Sequence, residues 1–274
     1  MRHINFIAWR GGIFVSDMPK NNEHNEAHEL GIALLDIATL LMASGASTER
    51  LRNTIDRISN SFGYTTYMLL SQRTIIMSVY NEADRCVFNS TKRTEAHGVN
   101  FAVVSGISLM SWLVVDEKWT IEKIARDVAR LRALPHYPRI VVLLLTALAG
   151  ASFCRLATGN WQDMCVVFIG TMAGLFIRQE AIKKRFNPYV CVYFAALTSS
   201  LIAGSLVKFD PAVKHEFAFA TSVLFLIPGV PLINAFSDMI DGNLQNGLIR
   251  GLNGFIISFA IALGLLTSMA TYRF

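Results

Sequence analysis

The amino-acid sequence predicts an α-helical integral membrane protein with about five transmembrane helices and an N-terminal α+β cytoplasmic domain. Three observations favour this class. Its 274 residues have a mean hydropathy of +0.40, and only 16% are charged, against about 25% in ordinary soluble domains. The charges are concentrated in residues 1–139, whereas residues 140–274 consist of long apolar runs. The apolar pattern of the N-terminal half also changes from a helical to an alternating period.

These patterns divide the chain into three predicted parts: residues 1–29, 30–135 and 136–274. The first part is predicted to be disordered. Alternatively, translation starts at Met18 and residues 1–17 are a wrongly assigned extension. Its short apolar run is split by Arg10, which matches a signal peptide poorly. The second part is the predicted cytoplasmic domain and the third the predicted membrane domain.

Two amphipathic helices are predicted to open the cytoplasmic domain. The first covers Leu30–Ala43, and the second runs from Thr48 to about Phe62. Gly45 suits the end of the first helix, and Ser47 or Thr48 suits the N-cap of the second.

A small antiparallel sheet is predicted next, from segments rich in β-branched and aromatic residues. Its strands are Thr65–Ser71, Thr74–Tyr80 and Arg85–Thr91. The apolar stretch Val99–Val115 carries a stripe of serines, so it is predicted to cover the sheet; a short membrane span is the alternative. Thr120–Ala133 is predicted as an amphipathic helix.

Five membrane spans are predicted in the C-terminal half, each near the ~20 apolar residues that cross a bilayer core. They lie at about 140–157, 163–181, 188–207, 217–236 and 247–269. Arg and Lys residues cluster before the first span and between the second and third. The positive-inside rule therefore places the N-terminal domain in the cytoplasm and, with five spans, the C-terminus outside. This orientation explains the net charge of +5 better than nucleic-acid binding does.

The stretch Leu226–Arg250 departs from its apolar surroundings, with the sequence LIPGVPLINAFSDMIDGNLQNGLIR. Pro228 and Pro231 lack the N–H groups that would bond to the carbonyls of Leu224 and Ile227. In a membrane those carbonyls need other partners, and broken helices near the bilayer centre are common in transport sites. We therefore predict a solute pathway along this stretch. The alternative is a proline kink relieved by neighbouring helices, with the aspartates solvated at the interface.

Polar side chains in and near this stretch are the candidate pathway residues. Pro231 suits the first position of a half-helix whose N–H groups would face a carboxylate. Asn234 would add an amide, and Asp238 would carry a proton or form an ion pair with an arginine. The complete set is Pro228, Gly229, Pro231, Asn234, Asp238, Arg250, Arg178 and Gln179.

Arg178 follows the close-packing pair Gly170 and Gly174, at the predicted cytoplasmic end of its span. Its guanidinium suits an anion, with Gln179 beside it to add a hydrogen bond. The alternative is an interfacial anchor without a ligand. Gly247 and Gly251 form a second GxxxG pair, which predicts close helix packing.

The sequence shows no pattern typical of an enzyme. It has no metal-ligand spacing, Gly-rich phosphate loop or nucleophile elbow, so we predict no cofactor, metal site or ATP coupling. The four cysteines form no CxxC pair and are predicted to be free.

Several longer motifs resemble the threonine/serine exporter (ThrE) family. LLMASGAST at Leu40–Thr48 is similar to that family's opening motif, and LIPGVPLINAFSDMIDG at Leu226–Gly242 to its most distinctive membrane motif. Shorter segments resemble the YjjP-type branch, namely TKRTEAHGVNF at Thr91–Phe101, YPR at Tyr137–Arg139, FCRL at Phe153–Leu156 and FIRQ at Phe176–Gln179.

The resemblance implies a multi-pass protein of the bacterial inner membrane and a subunit of a split exporter. Its expected partner is a small YjjB-type integral membrane subunit, and its expected substrates are small carboxylates, above all C4-dicarboxylates such as succinate. The resemblance leaves open whether the subunits form a higher homo- or hetero-oligomer. The alternatives are a threonine/serine exporter, and a membrane scaffold or metabolite sensor whose cytoplasmic domain binds a ligand.

Overall fold

The computed structural model describes residues 22–71, 73–94, 98–134, 137–209 and 216–272. The elements of the N-terminal region are α1 Asn22–Ala43, α2 Thr48–Ser61, β1 Thr65–Ser71, β2 Thr74–Tyr80, β3 Cys86–Arg93, α3 Phe101–Glu117 and α4 Ile121–Arg132. Those that follow are α5 Arg139–Leu156, α6 Trp161–Lys183, α7 Pro188–Phe209, α8 Glu216–Ser222, a 3₁₀ turn at Leu224–Leu226, α9 Gly229–Ile240 and α10 Leu244–Tyr272.

Helix α1 corrects one sequence prediction. It begins at Asn22 rather than Leu30, so residues 22–29 are helical, although the sequence predicted disorder there. Ala27, the one apolar residue of this segment, is 1% exposed, so this part of the helix packs against the protein despite its polar composition. The prediction about Met1 and Met18 lies outside the described residues.

The N-terminal core lies between the helices and one face of the sheet. The strands pair in the order β1-β2-β3, all antiparallel, as predicted. Alternate strand residues such as Ile75, Met77 and Val79 are buried, in one cluster with Leu34 of α1 and Ile55 of α2.

Helix α3 belongs to this same core, which confirms the prediction that Val99–Val115 covers the sheet region. Val104, Ile107 and Met110 are at most 1% exposed and pack in the N-terminal cluster. After α3, Trp119 and Lys123 donate hydrogen bonds to Glu117. The Trp119 hydrogen bond, with a smaller contribution from Lys123, lowers the pKa of Glu117.

Four continuous helices, α5, α6, α7 and α10, are long and apolar enough to cross a membrane. They match four of the five predicted spans to within a few residues. Many large apolar side chains on their outer surfaces are exposed, among them Leu145, Phe153, Phe194 and Phe255. Exposed apolar surface of this extent is expected where lipid replaces water.

The fourth predicted span, at about 217–236, is not one continuous helix. The segments Phe217–Leu226 and Gly229–Ile240 are bent by 66°. Their contacts run along α10 from its end to its start. Phe219 stacks edge-on against Tyr272, Leu226 lies in one buried cluster with Ala260, and Met239 lies against Gly247. The bent pair therefore follows almost the full length of α10.

Side-chain contacts also show which helix ends share one end of the bundle. Arg139 of α5 reaches Gln179 of α6, and Tyr189 of α7 donates to Asn253 of α10. The starts of α5, α7 and α10 and the ends of α6 and α9 thus lie together. The N-terminal region contacts the bundle at this same end, through Asp238 and Arg250.

Candidate functional site

Three polar side chains of the membrane-type helices bind the short connection between α1 and α2. Asn234 of α9 donates to the Gly45 carbonyl at 2.8 Å. Arg250 of α10 donates to the Ala46 carbonyl at 3.2 Å. The carboxylate of Asp238 accepts a hydrogen bond from the Thr48 backbone N–H at 3.0 Å. We call this set, Gly45, Ala46 and Thr48 with Asn234, Asp238 and Arg250, the polar junction.

Asp238 is the centre of the polar junction and has 0% exposure. Its Oδ2 lies 3.0 Å from Nη1 of Arg250, and the side chain of Arg250 is 19% exposed. The contact is an ion pair whose angles do not meet hydrogen-bond geometry, since both atoms are buried without a hydrogen-bond partner. The sequence left either Arg178 or Arg250 as the partner of Asp238; the structure brings Arg250 to it.

Asp238 also lies at the N-terminus of α2. Ser47 is the N-cap of this helix, and its side chain accepts from Arg50 N–H. The N–H of Thr48, the first residue of the helix, donates a hydrogen bond to Asp238. An anion at this position is stabilised by the helix dipole as well as by the hydrogen bond.

The connection between α1 and α2 is held from its other side by the segment before α3. The N–H of Gly98 donates to the Ala43 carbonyl at 2.9 Å, and that of Asn100 to the Ser44 carbonyl at 3.1 Å. Gly45 has φ +87°, a conformation that favours glycine. The loop is therefore fixed in the N-terminal region, so movement of the loop relative to α9 would break the polar junction.

The break before α9 differs in detail from the sequence prediction. The half-helix begins at Gly229, not at Pro231. The carbonyls of Leu224 and Ile227 find other partners, as predicted, but these are nearby backbone groups: the Leu224 carbonyl accepts the Ile227 N–H, and the Ile227 carbonyl accepts the Gly229 N–H.

The first turn of α9 offers fewer donors to an anion than predicted. Gly229 and Leu232 both donate to backbone carbonyls, and Pro231 has no N–H. Pro228 is buried, and Gly229 is partly exposed, with no atom within 4 Å of where its side chain would be. There is thus open space beside Gly229 at the start of α9, whereas the ion pair of Asp238 and Arg250 lies at the other end of this helix.

Arg178 is not part of the polar junction. It follows Gly174, whose side-chain position faces the Ala195 carbonyl and Ser199 of α7. Its Nε is buried and has no hydrogen-bond partner, and no ion pair joins it to another described residue. Arg178 is thus a half-buried guanidinium without a counter-ion among the described residues, which is energetically costly.

Gln179 belongs to a separate cluster at the end of the bundle. Arg139 donates to Gln179 at 2.6 Å and pairs with Glu180 at 2.5 Å. The guanidinium of Arg139 also lies over the ring of Phe176. The side-chain oxygen of Gln179 therefore accepts a hydrogen bond from Arg139, and Gln179 and Arg178 have no partner in common in the described part of the chain.

Sequence reasoning did not include the loop residues Gly45, Ala46 and Thr48 in the site. The sequence interpreted Gly45 and Thr48 as helix-cap residues, because a cap is a local pattern, whereas the partners of the three residues lie 189 to 204 positions away. A signal was present, since the two longest motifs of the resemblance, Leu40–Thr48 and Leu226–Gly242, are the segments that meet. Across the described residues, no three His, Cys, Asp or Glu side chains are grouped as a metal site would require.

Comparison with known proteins gives a family for the chain. The family model described as "Putative threonine/serine exporter" (ThrE) matches residues 33–272. No solved structure matches the chain.

Three curated proteins are similar over most of the chain. The "Probable succinate transporter subunit YjjP" of Klebsiella aerogenes is 25% identical over 87% of this chain and 92% of the relative. The protein with the same name from Escherichia coli K12 is 25% identical over 85% and 90%. The "Threonine/serine exporter" of Corynebacterium glutamicum is 22% identical over 75% of this chain and 44% of the relative. The similarity points to transport rather than catalysis.

Proposed function

The chain belongs to the threonine/serine exporter family, and we propose that it is a subunit of a secondary exporter for small carboxylates. C4-dicarboxylates such as succinate are the proposed substrates. This chain aligns with 92% and 90% of the two relatives named as succinate transporter subunits, which supports a subunit of similar length. A small YjjB-type integral membrane protein is the proposed partner.

The observation that carries this proposal is the buried Asp238–Arg250 pair at the helix start of α2. Thr48 N–H and the Arg250 guanidinium bind a carboxylate here, which is the functional group of the proposed substrate. Arg178 offers a further guanidinium with an unpartnered nitrogen. Two cationic positions suit an anion that carries two carboxylates.

We propose the bacterial inner membrane as the location, with the N-terminal region in the cytoplasm and the C-terminus in the periplasm. The basic residues Lys183, Lys184 and Arg185 support this orientation, because they lie at the bundle end that contacts the N-terminal region. The polar junction is then at the cytoplasmic mouth, and the broken helix leads from it toward the bilayer centre. The bent pair counts as the fifth span.

The test is efflux of labelled succinate from preloaded cells that express the chain alone, the small partner alone, or both. Succinate efflux that needs both chains, and that Arg250→Gln abolishes, is the expected result. The control is the assembled complex with Lys184→Gln, an exposed position that leaves the polar junction intact. An assembled complex that moves neither succinate nor another small carboxylate would refute the proposal.

A threonine/serine exporter is the second candidate, because the Corynebacterium glutamicum relative carries that name. The same preloaded cells distinguish the two functions. Efflux of labelled threonine, unaffected by excess succinate, would assign the chain to amino-acid export.

A further inference from the structure

The polar junction has the composition of a carboxylate-binding site that is already filled. Its donors are the Thr48 N–H, 3.0 Å from Asp238 Oδ1, and the Arg250 guanidinium, 3.0 Å from Oδ2. The Thr48 N–H belongs to the start of a 14-residue helix, whose dipole adds to the attraction. The group in this position is a carboxylate of the chain itself.

Asp238 does not use this site fully. Oδ2 of Asp238 and Nη1 of Arg250 are in contact, yet neither has an aligned hydrogen bond. The Thr48 side chain adds an unused donor: the residue is 1% exposed, and its Oγ1 has no hydrogen-bond partner. Buried polar atoms are nearly always hydrogen-bonded, so three buried atoms without a hydrogen bond at one site call for an occupant with better geometry than a tethered aspartate.

We propose that Thr48 and Arg250 bind one carboxylate of the transported anion, and that Asp238 is an internal competitor for that position. This inference rests on the proposed function, from which it takes the chemical class of the ligand. The arriving carboxylate takes the Thr48 N–H, the Thr48 hydroxyl and the Arg250 fork, and Asp238 leaves them. The substrate site is therefore shared between the N-terminal region and the membrane helices.

The internal competitor has a measurable effect on affinity. A group tethered beside its site acts at an effective concentration of millimolar or higher, so succinate must compete with it. Asp238→Asn removes the negative charge but keeps an oxygen that can accept the Thr48 N–H. We expect this variant to bind succinate about tenfold or more tightly than the unaltered chain.

The experiment is equilibrium binding of labelled succinate to the full chain in lipid nanodiscs, prepared with and without the co-expressed small partner. Asp238→Asn and Asp238→Ala should both raise affinity, while Asp238→Asn combined with Arg250→Gln should lose the gain. Thr48→Val, which removes the unused hydroxyl and keeps the backbone N–H, should weaken binding in the Asp238→Asn background.

Asn234→Ala is the matched control, because it frees the same loop at Gly45 without vacating the carboxylate position. An equal gain in affinity for Asn234→Ala and Asp238→Asn would overturn the inference, since loop release alone would then explain it. Unchanged or weaker binding to both Asp238 variants, in both preparations, would also overturn it. Neither result depends on efflux, so a functional exporter with such binding data contradicts this inference alone. Tighter binding without efflux contradicts the proposed function alone.

Discussion

Asp238 and Arg250 form one ion pair, yet their burial differs, and the effects of removing them should differ too. Asp238 has no exposed surface, whereas the side chain of Arg250 is 19% exposed. Arg250→Ala leaves a buried carboxylate without its cation and should cost about 3–5 kcal/mol of unfolding free energy. Asp238→Asn keeps an acceptor for Thr48, and Arg250 retains the Ala46 carbonyl, so its cost should be at least about 1 kcal/mol smaller.

The measurement is denaturant or thermal unfolding of each variant in the same detergent. The double variant, Asp238→Asn with Arg250→Ala, should be more stable than Arg250→Ala alone, because no charge is then left buried. Equal destabilisation by the two single changes would contradict the view that a carboxylate left buried without its cation is the main cost.

The glycines of the two GxxxG pairs give a second residue-scale prediction. A side chain at Gly174 would lie 2.7 Å from the Ala195 carbonyl, whereas at Gly251 the nearest atom would be 3.6 Å away. Gly174→Ala should therefore push α6 from α7 and cost about 1–3 kcal/mol. Gly251→Ala, the matched control, should be neutral or stabilising by up to about 1 kcal/mol. Unfolding midpoints in detergent check both, and a neutral Gly174→Ala would contradict the close approach.

The same glycines show what sequence can reveal about single residues. The spacing predicted helix packing at both pairs, and three of the four glycines are closely packed. It could not reveal that Gly251 has room, because the space depends on the neighbouring side chains of α9. The pairing of Asp238 likewise needed the fold, since two arginines were equally open as partners from the sequence.

At the scale of elements, the bend between the 3₁₀ turn and α9 depends on two missing N–H groups. Because Pro228 and Pro231 have no backbone N–H, residues 224–231 cannot form a regular α-helix. The segments on either side of the break meet at 66°. Pro228→Ala with Pro231→Ala restores both donors, so Phe217–Ile240 should straighten toward one helix. The distance between its ends should increase by roughly 5 Å or more.

Spin labels at Phe217 and Ile240, which are 47% and 84% exposed, would measure that distance in nanodiscs. A straightened helix moves Asp238 away from Thr48, so succinate efflux should fall while membrane insertion persists. Single replacement of Pro231 is the control, since Pro228 alone still interrupts the helix. An unchanged distance in the double variant would show that neighbouring helices, not the prolines, hold the bend.

Elements were predicted best where a pattern is long and local. The three strands, α4 and the four long apolar helices follow from their periodicity or apolar length, and the structure confirms that these elements form. Two starts were wrong. Helix α1 extends back to Asn22, where Ala27 is buried; packing of this kind cannot be seen in a polar composition. Helix α9 begins at Gly229, directly after the backbone bonds that end the 3₁₀ turn.

At the scale of the whole molecule, the N-terminal region and the membrane-type helices are joined at one end of the bundle. The three hydrogen bonds of the polar junction each join a residue of the α1–α2 connection or the first residue of α2 to one of α9 or α10. The sequence predicted both parts but not this connection, since no periodicity links positions so far apart. The two longest motifs of the family resemblance therefore meet at a buried ion pair, which is why the proposed carboxylate site includes residues of the N-terminal region.

The arrangement of helix ends predicts the topology of the whole chain. Lys184 follows α6 at the bundle end that contacts the N-terminal region, whereas Gln162 lies at the start of α6, one helix length away; both are exposed. With the exposed Cys86 and Cys165 replaced by serine, a cysteine at 184 should react only after the membrane is permeabilised. A cysteine at 162 should react with an impermeant maleimide in intact cells whose outer membrane admits it. The opposite pattern would place the polar junction outside, where it could not meet a cytoplasmic carboxylate first, and would reverse the proposed direction of transport.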